Sequence, residues 1–341
     1  FRTVSINKRK ENQSPVAAVI GAGNYVNQIF LPALVKTDIR LKTIASLSGI
    51  SSTHLGKRFG FEESTTDSMK IFSDSEIDTV FITTRHDTHF DFVVKALESG
   101  KHVFVEKPFT LKVADGKRAI KAAEDADVIL QVGHHRRKMG ATRRLREMID
   151  NGELGMLHQL EANITNTNGQ VPRQGWRNDR EECPIGGMGA LGVHKLDNFH
   201  YLAGPVKRVF AFSKKLFAGG NLDDVSVIGM EFESGPLGYL QTCIVTPTLI
   251  STAAYGTEGC GWSEEDGSKL YYQKKDETSR CELPVEKGDA LAAELVEFSR
   301  CIRTGDKPEV GGAEGLEVVA VFEAIVESVN TSKAVDVSDF R

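Results

Sequence analysis

Apolar residues in the first part of the chain fall into short closed runs. Val16 to Ile20, Leu41 to Leu47, Thr79 to Thr83, His102 to Val105 and Val128 to Val132 each read as a strand. Runs this short and this apolar suit parallel strands covered on both faces. Between them the apolar positions take helical spacing. Tyr25 to Lys36, Thr53 to Phe59, His89 to Glu98 and Val113 to Asp125 are predicted helices, with Pro32 kinking or restarting the first. Strand and helix alternating over about 120 residues predict a parallel α/β sheet with helices on both faces.

After Gly133 the period changes. Lys138 to Asp150 reads as a basic amphipathic helix closed by Asn151-Gly152. Longer alternating strands follow at Leu157–Thr167, Val206–Ser213, Val225–Phe232 and Leu237–Val245. Leu160, Ala162 and Ile164 alternate with Glu161, Asn163 and Thr165, the pattern of an antiparallel sheet with one covered face. Two helices close the chain, Ala290–Thr304 and Ala313–Ser328. The expected organisation is an α/β domain over residues 15–133 and an α+β domain over residues 134–341.

Composition narrows the class. With 341 residues the chain has room for about two domains. Its formal charge of −5 offers no bulk attraction to phosphates and argues against a general nucleic-acid binder. No apolar run reaches the roughly 18–20 residues of a membrane span. Five cysteines without a C-x-x-C pattern read as reduced thiols in a cytoplasmic protein, not as a disulfide or zinc framework. The first residues, Phe1 to Ser14, lack the apolar stretch of a secretory signal.

The first strand ends in Gly21-Ala22-Gly23, directly before a helix. That is the arrangement of a dinucleotide-binding turn. Gly21 permits the tight turn, and Gly23 lets backbone N–H groups approach a pyrophosphate. The bland alternative is a tight turn that binds nothing. Val26 holds the third position of the glycine pattern, so helix and strand need extra room there. Where an NAD-selective site usually carries a carboxylate, this chain has Ser46, then Leu47-Ser48-Gly49-Ile50-Ser51-Ser52. The absence of a carboxylate permits a 2′-phosphate, which Ser46, Ser51, Lys57 or Arg58 could hold. This inclines the reading to NADP over NAD. On the bland reading these residues are only turn and cap residues.

The fourth strand runs into Glu106-Lys107-Pro108. Before it come Thr83-Thr84-Arg85-His86-Asp87-Thr88-His89 and Ala96-Leu97-Glu98-Ser99-Gly100-Lys101-His102-Val103. After it come Gly133-His134-His135-Arg136-Arg137, Ile149 to Gly155, Gly186-Gly187 through Gly192-Val193-His194-Lys195-Leu196-Asp197, and Tyr255 to Gly259. This order resembles the Gfo/Idh/MocA family of NAD(P)-dependent oxidoreductases over nearly the whole chain from Pro15.

The resemblance implies a Rossmann domain followed by an α+β domain with a large, mostly antiparallel open sheet. Through that sheet it implies a homodimer or homotetramer. The implied activity is hydride transfer between NAD(P) and a secondary alcohol or ketone of a sugar, inositol or related polyol. The alternative is a non-catalytic NAD(P)-binding regulator of the same fold. The implied catalytic pair is Lys107 and His194. The implied cofactor site comprises Gly21, Gly23, Asn24, Tyr25, Ser46, Thr83, Thr84, His86, His89, Glu106 and Lys107. Pro108 is a candidate for a cis peptide bond.

Substrate candidates are His135, Arg136, Trp176, Arg177 and Asp197. Arg177 could hold an anion or polyol, and Trp176 could stack on a sugar ring. Adjacent histidines without a completing carboxylate argue against a metal site at His134-His135. The position four residues before His194, where many relatives carry Asp, is Ala190. Asp197, three residues after His194, could face the same side of a helix and stand in for it. Without that help, Lys107 and His194 must suffice, or the chain is not a standard dehydrogenase.

Overall fold

The structure is a computed structural model that describes residues 2–7, 15–171, 178–180, 183–217 and 221–341. The chain opens with β1 (Thr3–Ser5) and β2 (Val16–Ile20). A π turn over Val26–Phe30 leads into α1 (Leu31–Leu34). Then come β3 (Arg40–Ala45), α2 (Ile50–Phe59), β4 (Glu63–Thr65), α3 (Met69–Ser73), β5 (Thr79–Ile82) and α4 (His89–Glu98). β6 (His102–Glu106), α5 (Val113–Asp125) and β7 (Leu130–Gly133) complete this part. α6 (Gly140–Asp150) and β8 (Leu157–Thr165) follow. A second π turn, Met188–Gly192, leads into α7 (Val193–Ala203). Six strands come next: β9 (Val206–Lys214), β10 (Val225–Phe232), β11 (Leu237–Cys243), β12 (Leu249–Gly256), β13 (Gly259–Glu264) and β14 (Lys269–Lys274). The chain closes with β15 (Cys281–Leu283), α8 (Ala290–Thr304), α9 (Gly312–Thr331) and β16 (Val335–Asp336).

These elements pack as two units. One comprises Phe1–His135 with Asp289–Leu316, the other Arg136–Gly288 with Glu317–Arg341. The first holds a seven-stranded sheet in the order β1-β4-β3-β2-β5-β6-β7. All neighbours are parallel except β1 and β4. β2 is buried at every position, as a strand covered on both faces must be. Its neighbours β3 and β5 continue the chain in opposite directions across the sheet. The carboxyl end of β2 is therefore the switch point, where such sheets bind ligands.

Sequence periodicity leaves α8 with the second domain. In the structure Leu291, Leu295 and Phe298 of α8 are buried in the core of the first unit. The Phe298 ring lies 5.6 Å from Phe81 and 5.7 Å from Phe104, and Phe30 lies 5.6 Å from Phe81. Such edge and tilted ring pairs add to the burial of large apolar area. An amphipathic stripe predicts a helix but not which core receives it, so the partner of α8 was not readable from its period.

The second unit holds a nine-stranded sheet in the order β15-β14-β13-β12-β8-β11-β10-β9-β16. β8 and β11 pair in parallel; the other pairs are antiparallel. Leu160, Ala162, Ile164, Ile228 and Leu240 are buried on one face. The registers place Phe210, Phe212, Val227, Tyr239, Glu161, Tyr255 and Trp262 on the opposite face. No helix among the described residues is long and apolar enough to cross a membrane.

Candidate active site

In the first unit the site begins at Gly21. Its φ is +117°, and a Cβ there would lie 2.5 Å from the backbone oxygen of Thr83. Thr83 follows β5 and is itself fastened to β2: its N–H donates to the Ile20 carbonyl at 2.9 Å, and its Oγ1 to the same oxygen at 3.1 Å. Thr83 thus shapes the turn from beneath. Around Gly23 the picture is reversed. Beyond its chain neighbours, a Cβ there would meet no atom of the described residues within 4 Å. A closed Gly21 and an open Gly23 at the switch point fit a turn that a dinucleotide pyrophosphate approaches closely. Asn24 is exposed beside it. Val26 is buried within the π turn, whose wider ring makes the room the sequence asks for there.

Tyr25 reaches across the sheet. Its hydroxyl donates to Glu106 Oε1 at 2.7 Å. Burial and the nearby Glu106 carboxylate push the phenol far above its ordinary range, so it stays a donor. Burial also raises the carboxyl of Glu106, opposed by the Tyr25 bond and the charge of Lys107. Glu106 ends β6 and orients the turn that follows. The Lys107–Pro108 bond is cis. Lys107 is half-buried.

His89 supports the same turn. It is buried, its Nδ1 lies 2.8 Å from the Pro108 carbonyl, and its Nε2 lies 3.4 Å from the Thr84 carbonyl. Burial lowers its pKa and favours the neutral ring, with the closer Nδ1–H as the donor. Both ring nitrogens therefore face backbone, and His89 positions the Lys107 turn. Thr84 Oγ1 accepts from Thr88 at 2.7 Å, and the His86 ring stands 5.9 Å from that of His89.

The Ser46 segment is organised around α2. Ser46 Oγ accepts from Ser51 Oγ at 3.1 Å and from the Ser52 N–H at 3.3 Å. Arg58 donates to Asn27 at 2.8 Å. Lys57 lines a cavity of about 580 Å³ with Arg2, Ser48, His54 and Thr65, and among the described residues no carboxylate lines it.

Periodicity gave no hint of Glu294 on α8. It is buried, and its Oε1 accepts the His134 N–H at 2.8 Å. Its charge also reaches Tyr25. A lone acidic residue on the apolar side of a helix was the available signal. His135, which ends this unit, is half-buried.

In the second unit the glycine-rich segment sets α7 against the sheet. Gly186 has φ +50°, and a Cβ there would lie 1.9 Å from the Asp223 carbonyl. At Gly192 a Cβ would meet Met188 Sδ at 2.2 Å and Thr242 Cγ2 at 3.2 Å. Only glycine lets the π turn pack this closely. The helix it launches carries His194, which is 7% exposed. Ala190 lies inside the π turn.

Asp197 is fully buried, and Arg137 occupies both of its oxygens at 2.7–3.0 Å. A fork of this kind fixes the 3-10 turn at His135–Lys138 to α7. We expect Asp197→Ala to cost roughly 3–5 kcal/mol, because it removes the carboxylate that pairs with a buried guanidinium. Urea denaturation of variant and wild type checks this; a loss below about 1 kcal/mol would contradict the structural role.

Lys195 is the residue the sequence reading passed over. It is 4% exposed, and its Nζ donates to Thr252 Oγ1 on β12 at 2.9 Å. Burial and the neighbouring Arg136 lower its pKa to about 7. A lysine amid the apolar residues Val193, Leu196 and Phe199 was the sequence signal. Arg136 pairs with Asp266, and burial brings its pKa down to about 10. Trp176 and Arg177 lie outside the described residues. Among the described residues no group of three His, Cys, Asp or Glu side chains is arranged to hold a metal ion.

Comparison with known proteins bears on the family and the fold. The oxidoreductase family with an NAD-binding Rossmann fold matches residues 16–134. The GFO/IDH/MocA C-terminal domain matches residues 142–260. The chain is 24% identical to 1,5-anhydro-D-fructose reductase of Ensifer adhaerens, covering 94% of this chain and 97% of the relative. It is 26% identical to myo-inositol 2-dehydrogenase of Thermotoga maritima, covering 89% and 92%. The crystal structure of an oxidoreductase from Desulfitobacterium hafniense superposes with a TM-score of 0.89 at 27% identity, covering 95% and 98%. Homologous enzymes include both NAD- and NADP-dependent dehydrogenases. Matched over both its Rossmann and its C-terminal parts, the chain belongs to the Gfo/Idh/MocA family of oxidoreductases.

Proposed function

We propose that the protein is a dehydrogenase or reductase that interconverts a secondary alcohol and a ketone on a sugar or polyol. The observation that carries this is the Lys107 turn: a lysine at the end of a central strand, braced by Tyr25–Glu106 and His89–Pro108. When bound, the nicotinamide cofactor supplies or accepts the hydride. Lys107 donates a hydrogen bond to the reacting oxygen and offsets the negative charge that develops there. His194 takes the hydroxyl proton during oxidation and returns it during reduction. The Gly21–Gly23 turn would hold the pyrophosphate through backbone N–H groups, and Asn24, Thr83, Thr84 and His86 would help to hold the cofactor. Asp197, committed to Arg137, positions α7 instead of relaying protons.

The cofactor reading inclines to NADP. Its support is the cavity lined by Lys57, Arg2 and Ser48 beside the Ser46 turn, to which no carboxylate among the described residues contributes. A second copy of the chain covering the face that carries Phe210, Phe212 and Trp262 gives the oligomer. Its exposed aromatic pair, 4.9 Å between ring centroids, supports this. Light scattering that returned only monomer would contradict the oligomer.

The function is tested by titrating the protein with NADPH and NADH, then following nicotinamide absorbance with a panel of sugars, inositols and their ketones. Tighter NADPH binding and turnover of at least one alcohol are expected. Cofactor binding without turnover across the panel would favour a sensor. A tenfold preference for NADH would overturn the NADP reading.

A further inference from the structure

In the second unit a buried lysine, Lys195, feels the charge of a half-buried arginine, Arg136, and the two are not both balanced. Lys195 has three N–H donors when charged, and Thr252 Oγ1 accepts one of them. Among the described residues no carboxylate pairs with it. The sheet beneath is neutral: Thr252 stands opposite Ala162 on β8 and Ser263 on β13. On its own helix, Asp197 is taken by Arg137. The charge that reaches Lys195 is that of Arg136, which repels it. Arg136 is answered on one side by Asp266, yet its Nε is buried with no partner. Counting Lys195, Arg136 and Asp266, the cluster carries one net positive charge when Lys195 is protonated. Buried charge of this kind is costly unless something pairs with it.

Resting on the substrate reading above, we propose that Arg136 and Lys195 form the subsite for the carboxylate of an acidic sugar or sugar-derived hydroxy acid. A carboxylate brings a single negative charge, which matches the net charge of the cluster; a phosphomonoester brings nearly two. Arg136 Nε and the free N–H groups of Lys195 supply the donors. Lys195 is then a specificity-determining residue next to His194.

Two consequences follow from charge. Anion binding draws Lys195 into its protonated form, so affinity for the acid falls as pH rises above about 7. In the ligand-free protein the sign is opposite. The folded state holds Lys195 below its unfolded pKa and binds fewer protons, so its penalty on stability shrinks as pH rises from 7 towards 10.

The test compares wild type with Lys195→Met by calorimetric titration of cofactor-loaded protein. Probes are D-gluconate, D-galactonate and D-glucuronate against D-glucose and D-galactose, with glucose 6-phosphate as a separate arm. Turnover is measured on the same panel. Wild type is expected to bind at least one acid about tenfold or more tightly than its neutral counterpart. Lys195→Met should erase that difference and raise the melting temperature, more at pH 7 than at pH 9. Equal binding of acid and neutral sugars by wild type overturns the subsite, as does an unchanged preference in Lys195→Met. Tighter binding of the phosphate overturns the carboxylate assignment. Turnover of neutral sugars with no acid preference leaves the dehydrogenase reading intact, whereas acid binding without any turnover defeats that reading and keeps the subsite.

Discussion

Lys107→Ala is expected to lower kcat by about 10²–10³-fold while leaving cofactor affinity nearly unchanged. The magnitude follows from the role. A charged donor aimed at the oxygen where negative charge develops acts mainly in the transition state, so its loss falls on kcat. The geometry explains why the damage should stay local. The turn is held by Glu106 accepting from Tyr25 and by the Pro108 carbonyl facing His89. Neither contact uses the Lys107 side chain. The variant should therefore fold and bind cofactor, and steady-state kinetics beside a fluorescence titration separates the two effects. Loss of cofactor binding together with activity would mean that Lys107 holds the nucleotide, not the reacting oxygen. Full activity would remove it from the mechanism.

The two glycines of the turn should fail in different ways. Gly21→Ala combines a strained φ of +117° with a methyl group 2.5 Å from the Thr83 carbonyl. Each contributes about 1–3 kcal/mol, so roughly 2–6 kcal/mol of stability should be lost. Cofactor affinity should fall as well, because β2 and β5 must move apart at the switch point. At Gly23 no atom of the described residues, its chain neighbours apart, lies within 4 Å of the added methyl. Gly23→Ala should fold with wild-type stability yet lose cofactor affinity, since the methyl enters the space the pyrophosphate needs. Chemical denaturation and NADPH titration of both variants check this. Wild-type affinity in Gly23→Ala would show that the nucleotide does not approach that turn.

How much of this was legible in the sequence depended on the length and symmetry of each signal. The buried strands β2, β5 and β6 announce themselves as closed apolar runs, and Gly21-Ala22-Gly23 marks the switch point. β1 and β4 were missed because three residues are too few to show a period. β12, β13 and β14 were missed because Gly, Ser, Ala and charged residues break their alternation. α8 was found as a helix, but its place beside Phe81 depends on contacts that no local pattern encodes. The same holds at the site. The Glu106-Lys107-Pro108 turn was visible, yet the demand of Arg137 on both oxygens of Asp197 was not. Neither was the absence, among the described residues, of a carboxylate paired with Lys195, because charge balance around a buried side chain is a property of the packed structure. His89 was placed with the cofactor group from its neighbours in sequence, whereas its ring faces Pro108 and Thr84.

The most direct measurement of the central claim is isotopic. A sugar or polyol turned over in the panel is supplied deuterated at its carbinol carbon, and the reduced nicotinamide is examined by mass spectrometry and NMR. Transfer of one deuterium to C4 of the nicotinamide, abolished or strongly slowed in Lys107→Ala, is the predicted result. Reduced cofactor that carries no deuterium from the substrate would contradict direct hydride transfer at this site.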